Sequence, residues 1–182
     1  FGEHPHDNME IITIPLEGSL RHRDNQGNEG VITTGEVQVM SAGTGIRHSE
    51  MNANSKEPVR LFQIWIFSKN KNVEPRYQQI QLPDPIANEF IQAVSPNEED
   101  EGAWIHQDAW IHLIDMDLLS ESEYELKNPD NGVYIMNVSG EISLANQIIN
   151  KRDAIGITDV KKVPIIALEK SRVLVIEVPM NT

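Results

Sequence analysis

The chain has 182 residues, 39% hydrophobic and 24% charged, enough for an apolar core and unlike a coiled coil or a disordered segment. Fifteen Lys and Arg against 28 Asp and Glu leave a net charge of −13, which repels nucleic acid and anionic lipid; no apolar run reaches the length of a membrane helix. There is no cysteine, so disulfides, thiolate metal sites and thiol catalysis are excluded, and any metal falls to His and carboxylate.

The first third reads as short strands between turns. Met9 to Leu16 is isoleucine-rich, and Leu16-Glu17-Gly18 leads into a second stretch, Ser19 to Arg23. Asp24-Asn25-Gln26-Gly27-Asn28 is a turn cluster, because these residues tolerate a left-handed backbone. Val37 and Val39 alternate with Gln38 and Met40, the period of a half-buried strand. Val59 to Phe67 is a further apolar run. Short strands at regular turn spacing predict a sandwich or barrel. In the middle, Pro83-Asp84-Pro85 interrupts any strand, and Ile86 to Val94 is expected to form one short helix. Ser95 to Glu125 carries ten acids and no Lys or Arg, and is expected to be a solvated, mobile connection.

Strands return after the turn at Pro129-Asp130-Asn131-Gly132: Val133 to Val138, Glu141 to Leu144, Ala154 to Thr158, Val163 to Leu168 and Val173 to Val178. Ile11 to Leu20, broken near Gly18, resembles Tyr134 to Leu144, broken at Gly140. Gly35-Glu36-Val37 resembles Arg152-Asp153-Ala154. Two copies of one β-unit follow: residues 1–82, an acidic linker at 83–101, and residues 102–182.

Two clusters carry chemistry, His4-Pro5-His6 and His48-Ser49-Glu50. Residues two apart on a strand share a face, so each cluster presents two ligands side by side. Three imidazoles and one carboxylate suit Fe(II), Ni(II), Mn(II), Cu(II), Co(II) or Zn(II), and four ligands leave two octahedral positions open for chemistry. Glu10 is an alternative carboxylate. His22, between Arg21 and Arg23, is expected on the surface, and Arg47 on the face opposite His48. His106 and His112, flanked by Trp104 and Trp110, are expected to pack at the edge of an aromatic strand. Met40, Phe62 and Ile64 suit either a pocket wall or barrel core.

The frame around the two clusters is more specific than the histidines alone. From His4 it runs His-x-His, three residues, Glu10, then Gly18; from Gly35 it runs through Ser41-Ala42-Gly43 to His48 and Asn52. These frames resemble the paired motifs of the cupin superfamily, and most closely the pirin family, which includes bacterial pirin-like quercetinases. Phe1-Gly2-Glu3-His4-Pro5-His6, Gly35 through Glu50, Leu61-Phe62-Gln63-Ile64-Trp65-Ile66 and Pro75-Arg76-Tyr77 carry the resemblance. It covers the first eighty residues firmly and the remainder loosely.

The resemblance implies an all-β bicupin of two β-barrel or jelly-roll units, the first lacking the strands that family members have before the His-Pro-His segment. It implies one metal on His4, His6, His48 and Glu50, with Fe(II) as the first expectation. Glu10 stands where a general cupin has its glutamate ligand, but pirin-like proteins use the carboxylate after the second-motif histidine. Ser41 replaces the proline of many cupins. In the second unit the ligand places fall near Leu126, Asn128 and Ile165, so no metal is expected there. The implied activity is dioxygenation of a flavonol such as quercetin with release of carbon monoxide, Glu50 taking the 3-hydroxyl proton. The other implied class is a metal-dependent regulatory protein that binds a protein partner without turnover. Either expectation places the chain in the cytoplasm, without direct nucleic-acid or membrane contact.

Overall fold

The computed structural model describes residues 1–180. Among them every regular element is a strand, and no helix is long and apolar enough to cross a membrane. The chain divides into two compact units, residues 1–83 with 95–107, and residues 84–94 with 108 onward.

In the first unit the strands are β1 (His4–His6), β2 (Met9–Glu17), β3 (Ser19–Asp24), β4 (Glu29–Thr33), β5 (Glu36–Ser41), β6 (Ile46–Asn52), β7 (Arg60–Phe67) and β8 (Arg76–Gln81). They form two four-stranded sheets, ordered β1-β6-β3-β4 and β7-β2-β5-β8. β9 (Phe90–Ser95) follows, then the two-residue β10 (Ala103–Trp104). The remaining strands are β11 (Trp110–Met116), β12 (Glu121–Glu125), β13 (Asn131–Ser139), β14 (Ile142–Leu144), β15 (Gln147–Ile149), β16 (Ala154–Ile157), β17 (Lys162–Ala167) and β18 (Ser171–Pro179). In the second unit one sheet runs β12-β17-β14-β15, and the other carries β9, β11, β18, β13 and β16 in that order.

The internal repeat is visible strand by strand. β12-β17-β14-β15 repeats the order of β1-β6-β3-β4, and β18-β13-β16 repeats β7-β2-β5. In both copies the register of the long central pair shifts, between Pro15 and Glu17 and between Asn137 and Ser139. A glycine then turns the chain into the other sheet: Gly18 at φ +75° and Gly140 at φ +82°. A Cβ at either would lie 2.4 Å from a carbonyl oxygen, of Pro58 or of Lys170, so both the dihedral and the space require glycine.

Directly opposed residues of an antiparallel pair share a face. On the sheet that carries β2, Ile11 opposes Met40 and Trp65, and Thr13 opposes Gln38 and Gln63. Ile11, Met40 and Ala42 pack with Ile46 of β6, so this face looks across the unit at the sheet that carries the histidines. Met40 is therefore core. In the second unit the corresponding interior is apolar, with Tyr124, Ile142, Val163 and Ile165 in one cluster.

Two expectations for the middle of the chain are corrected. Ile86 to Val94 forms no helix; Phe90 begins strand β9, which pairs with β11. The stretch from Ser95 to Glu125 is no mobile connection either. Its acids at Glu98–Glu101 are exposed, but Ala103, Ile105, Ala109, Ile111, Ile114 and Met116 are buried. The units accordingly exchange segments within the region read as the 83–101 linker.

Candidate metal centre

Three neighbouring strands bring the histidines together. β1 pairs with β6 so that His4 opposes His48, and β3 pairs with β6 so that Asp24 opposes His48 and His22 opposes Glu50. Because alternate residues share a face, His4 and His6, His22 and Asp24, and His48 and Glu50 all project to one side. The ring centroids of His4, His6 and His48 lie 4.4–5.0 Å apart. Each of the three offers a ligand nitrogen, and these lie within 4.8 Å of one another.

Their free atoms fit a cation. His4 Nδ1 donates to the Gly2 carbonyl at 2.8 Å, which leaves Nε2 as its bare nitrogen. The Nε2 atoms of His6 and His48 are buried and have no hydrogen-bond partner. Buried polar atoms without partners are costly, and convergent bare imidazole nitrogens are what a divalent transition metal takes. Burial, then the neighbouring His4, His22 and His6, push the His48 imidazole down to about 3, against a smaller opposing pull from Asp24. Burial and His4 also lower His6, with Glu50 opposing. His48 is thus neutral at pH 7, the form that ligates.

The two candidate carboxylates have different surroundings. Glu50 is buried, and an oxygen of it lies within 4.8 Å of ligand nitrogens of His48 and His22. Both its oxygens accept from Gln63 Nε2 at 2.9 Å. Glu10 is fully buried, and its two oxygens accept from the Ser41 and Ser68 hydroxyls, each at 2.7 Å. Among the described residues Glu10 belongs to neither group able to hold a metal.

His22 corrects its expectation. It is completely buried, hydrogen-bonded to Asp24 and in contact with His48. Arg21 and Arg23 point outward while Leu20, His22 and Asp24 point in. Asp24 itself is held below the ordinary carboxylate range: burial opposes this, but hydrogen bonds from Asn28, His22 and Gln26 outweigh it. Arg47 faces outward and pairs with Glu3. His106 packs on Trp104, and His112 is buried against Phe90 and Tyr124, both as expected. Phe62 and Ile64 are half-buried.

The opposing sheet adds three residues that motif spacing did not single out for the site. Trp65 sets its ring edge-on to His6 at 5.0 Å and is 54% exposed. Gln63, two residues earlier on the same face of β7, holds Glu50. Tyr77 of β8 lies against His22 at 5.0 Å. The alternation Gln63, Trp65 was the available signal.

A family model described as Pirin matches residues 1–66, and one described as Quercetinase C-terminal cupin domain matches residues 92–178. Over 179 residues the chain is 35% identical to quercetin 2,3-dioxygenase of Escherichia coli K12, spanning 98% of this chain and 76% of that protein. The chain belongs to the pirin family. A pirin-like protein of Caulobacter vibrioides is also 35% identical, over 97% of this pirin and 76% of its own length. The crystal structure of the bacterial pirin YhhW from Escherichia coli in complex with nickel(II) superposes with a TM-score of 0.90. At 35% identity the match covers 98% of this chain and 76% of that one. The bicupin architecture read from the repeat is thus that of the family.

Proposed function

We propose that this pirin is a metal-dependent dioxygenase of the quercetinase type, opening a flavonol such as quercetin with O2 and releasing carbon monoxide. The observation that carries the reading is the pair of buried, unpartnered Nε2 atoms of His6 and His48, meeting His4 beneath the exposed ring of Trp65. The 35% identity to a quercetin 2,3-dioxygenase supports it.

In this reading His4, His6 and His48 hold the metal and Glu50 is the fourth ligand, with residues 1–82 as the metal-binding unit and residues 102–182 as a metal-free cupin unit. The bound divalent cation would supply the Lewis acidity and the electron-transfer chemistry that oxygenation of a flavonol needs. Fe(II) comes first from the family resemblance; the donor set accepts Ni(II), Mn(II), Co(II), Cu(II) or Zn(II) as well. Glu50 accepts the proton of the flavonol 3-hydroxyl, and Gln63 keeps its carboxylate turned toward the site. Trp65 offers an aromatic ring beside His6 for a planar polyphenol.

The test is to load metal-free protein with each of these cations and to follow O2 uptake and carbon monoxide release with quercetin. One O2 consumed and one CO released per flavonol is the expected result. Metal bound at the three histidines without flavonol-dependent O2 uptake refutes the enzyme reading and leaves the regulatory one.

A further inference from the structure

Behind His48 lies a buried line of three side chains, Asp24, His22 and His48, running across β3 and β6. We propose that Asp24 and His22 are positioning residues that set the tautomer of His48, so that its Nε2 lone pair is the one presented to the metal. The inference rests on the metal-site reading above.

Asp24 is locked first. Its Oδ1 accepts the backbone N–H groups of Gln26 at 2.9 Å and Asn28 at 3.0 Å. Its Oδ2 accepts Asn28 Nδ2 at 2.9 Å and His22 Nε2 at 3.2 Å. Both oxygens are occupied, so the carboxylate has no freedom to turn. An ionised carboxylate only accepts, so His22 carries its proton on Nε2 and leaves Nδ1 bare. That Nδ1 faces His48 Nδ1 at 3.5 Å, a long contact. Two bare nitrogens would repel there, so His48 carries its proton on Nδ1. Its Nε2, buried and without a partner, is then the lone pair. Tyr77, inclined 35° to the His22 ring, keeps that ring in plane for the relay. The arrangement has the logic of a carboxylate–histidine pair behind a metal ligand, with one imidazole more.

His22, His48 and Glu50 also form a group within 4.8 Å of one another. In that alternative His22 would itself be a ligand, and its Nδ1 would bind metal instead of accepting from His48.

Asp24→Asn separates these readings without removing a ring. An asparagine can keep both backbone hydrogen bonds through Oδ1, which puts its NH2 where Oδ2 stood. That NH2 donates to His22 Nε2, so the His22 proton moves to Nδ1 and is donated to His48 Nδ1. His48 is left with its proton on Nε2, and its lone pair is closed. An Asp-to-Asn change beside a histidine is known to enforce the wrong tautomer in this way.

The experiment uses the full chain. Nitrogen NMR of the imidazoles in metal-free protein reports the tautomers, and competition against a chelator gives the nickel(II) affinity. The expected result is His48 protonated on Nδ1 in the wild type and on Nε2 in Asp24→Asn, with nickel affinity about 10–100-fold weaker in the variant. An unchanged His48 tautomer together with unchanged nickel affinity overturns the proposal. His22→Phe fills the same space, keeps a ring against Tyr77 and deletes the relay. It should weaken nickel by a similar factor while X-ray absorption still counts three imidazoles on the metal; one imidazole fewer than in the wild type overturns the proposal by making His22 a ligand. If Asp24→Asn does not fold, His22→Phe carries the affinity measurement. A wild type that binds no nickel refutes the metal-site reading, and the NMR of the metal-free protein still decides the relay.

Discussion

Proton release on metal binding tests how the three imidazoles are prepared. An ordinary histidine near ~6.5 is about 91% protonated at pH 5.5, so three such ligands would release about 2.7 protons when a cation displaces them. His48 differs, because burial and its histidine neighbours hold it at about 3. At pH 5.5 it is already deprotonated and contributes almost nothing. His6 is lowered as well, by burial and by His4. Expected release at pH 5.5 is therefore below two protons per nickel(II) ion. In affinity, an ordinary imidazole at pH 5 costs a factor of about 30 against proton competition, roughly 2 kcal/mol, and His48 avoids that cost. Calorimetric titration of nickel(II) at pH 5.5, in two buffers of different ionisation enthalpy, counts the protons. A release close to three would refute the reasoning, since it would mean that the buried His48 is charged before metal arrives. The sign in the metal-free fold follows from the same shift. A histidine lowered on folding stabilises the fold above its unfolded pKa, and this is lost as pH falls from about 6.5 toward 3.

What the sequence made legible, and what it hid, divides by distance along the chain. His4 with His6, and His48 with Glu50, could be read because a strand's two-residue period puts each pair on one face without any knowledge of the rest. The repeat could be read because the glycine break after β2 and after β13 leaves a local trace, Gly18 and Gly140, at positive φ. His22 was misjudged because Arg21 and Arg23 colour the stretch as surface. Alternation puts those two arginines outside and requires Leu20, His22 and Asp24 to be inside, so the signal was present but outweighed by composition. The acidic stretch failed for a related reason: averaging ten acids over Ser95 to Glu125 hides apolar residues that alternate inward along β11. Choosing between Glu10 and Glu50 needed cross-strand register. β2 turns Glu10 toward Ser41 and Ser68, away from the face that carries Ile11 and Thr13, and only sheet pairing reveals this.

The remaining predictions follow from individual contacts. Glu50→Gln should weaken nickel(II) binding, whereas Glu10→Gln should leave binding intact and cost about 1–3 kcal/mol of stability, because its carboxylate serves only buried hydroxyls. Chelator competition and urea melts on both variants check this, and loss of metal in Glu10→Gln alone would reverse the choice of ligand. Trp65→Ala should raise the KM for quercetin roughly tenfold at unchanged metal content, the loss of one aromatic contact; steady-state O2 uptake with a metal assay reads both. The last concerns the second unit and is independent of any metal. His112 is buried against Phe90 and Tyr124, and burial, with Lys127 adding to it, pushes it down to about 4. Tyr124 donates its one proton to Glu177, so its oxygen accepts from His112 Nδ1 at 3.3 Å, which fixes a neutral imidazole there. The unfolded chain takes up a proton at this residue near ~6.5 and the folded chain does not, so folding stability falls as pH falls. Linkage between ~6.5 and about 4 gives a loss of roughly 2 kcal/mol on going from pH 7 to pH 5. His112→Gln cannot titrate and keeps an N–H for Tyr124. Urea melts of both proteins at the two pH values should show the wild type losing about 2 kcal/mol more than the variant, and equal losses would mean that His112 is protonated inside the fold.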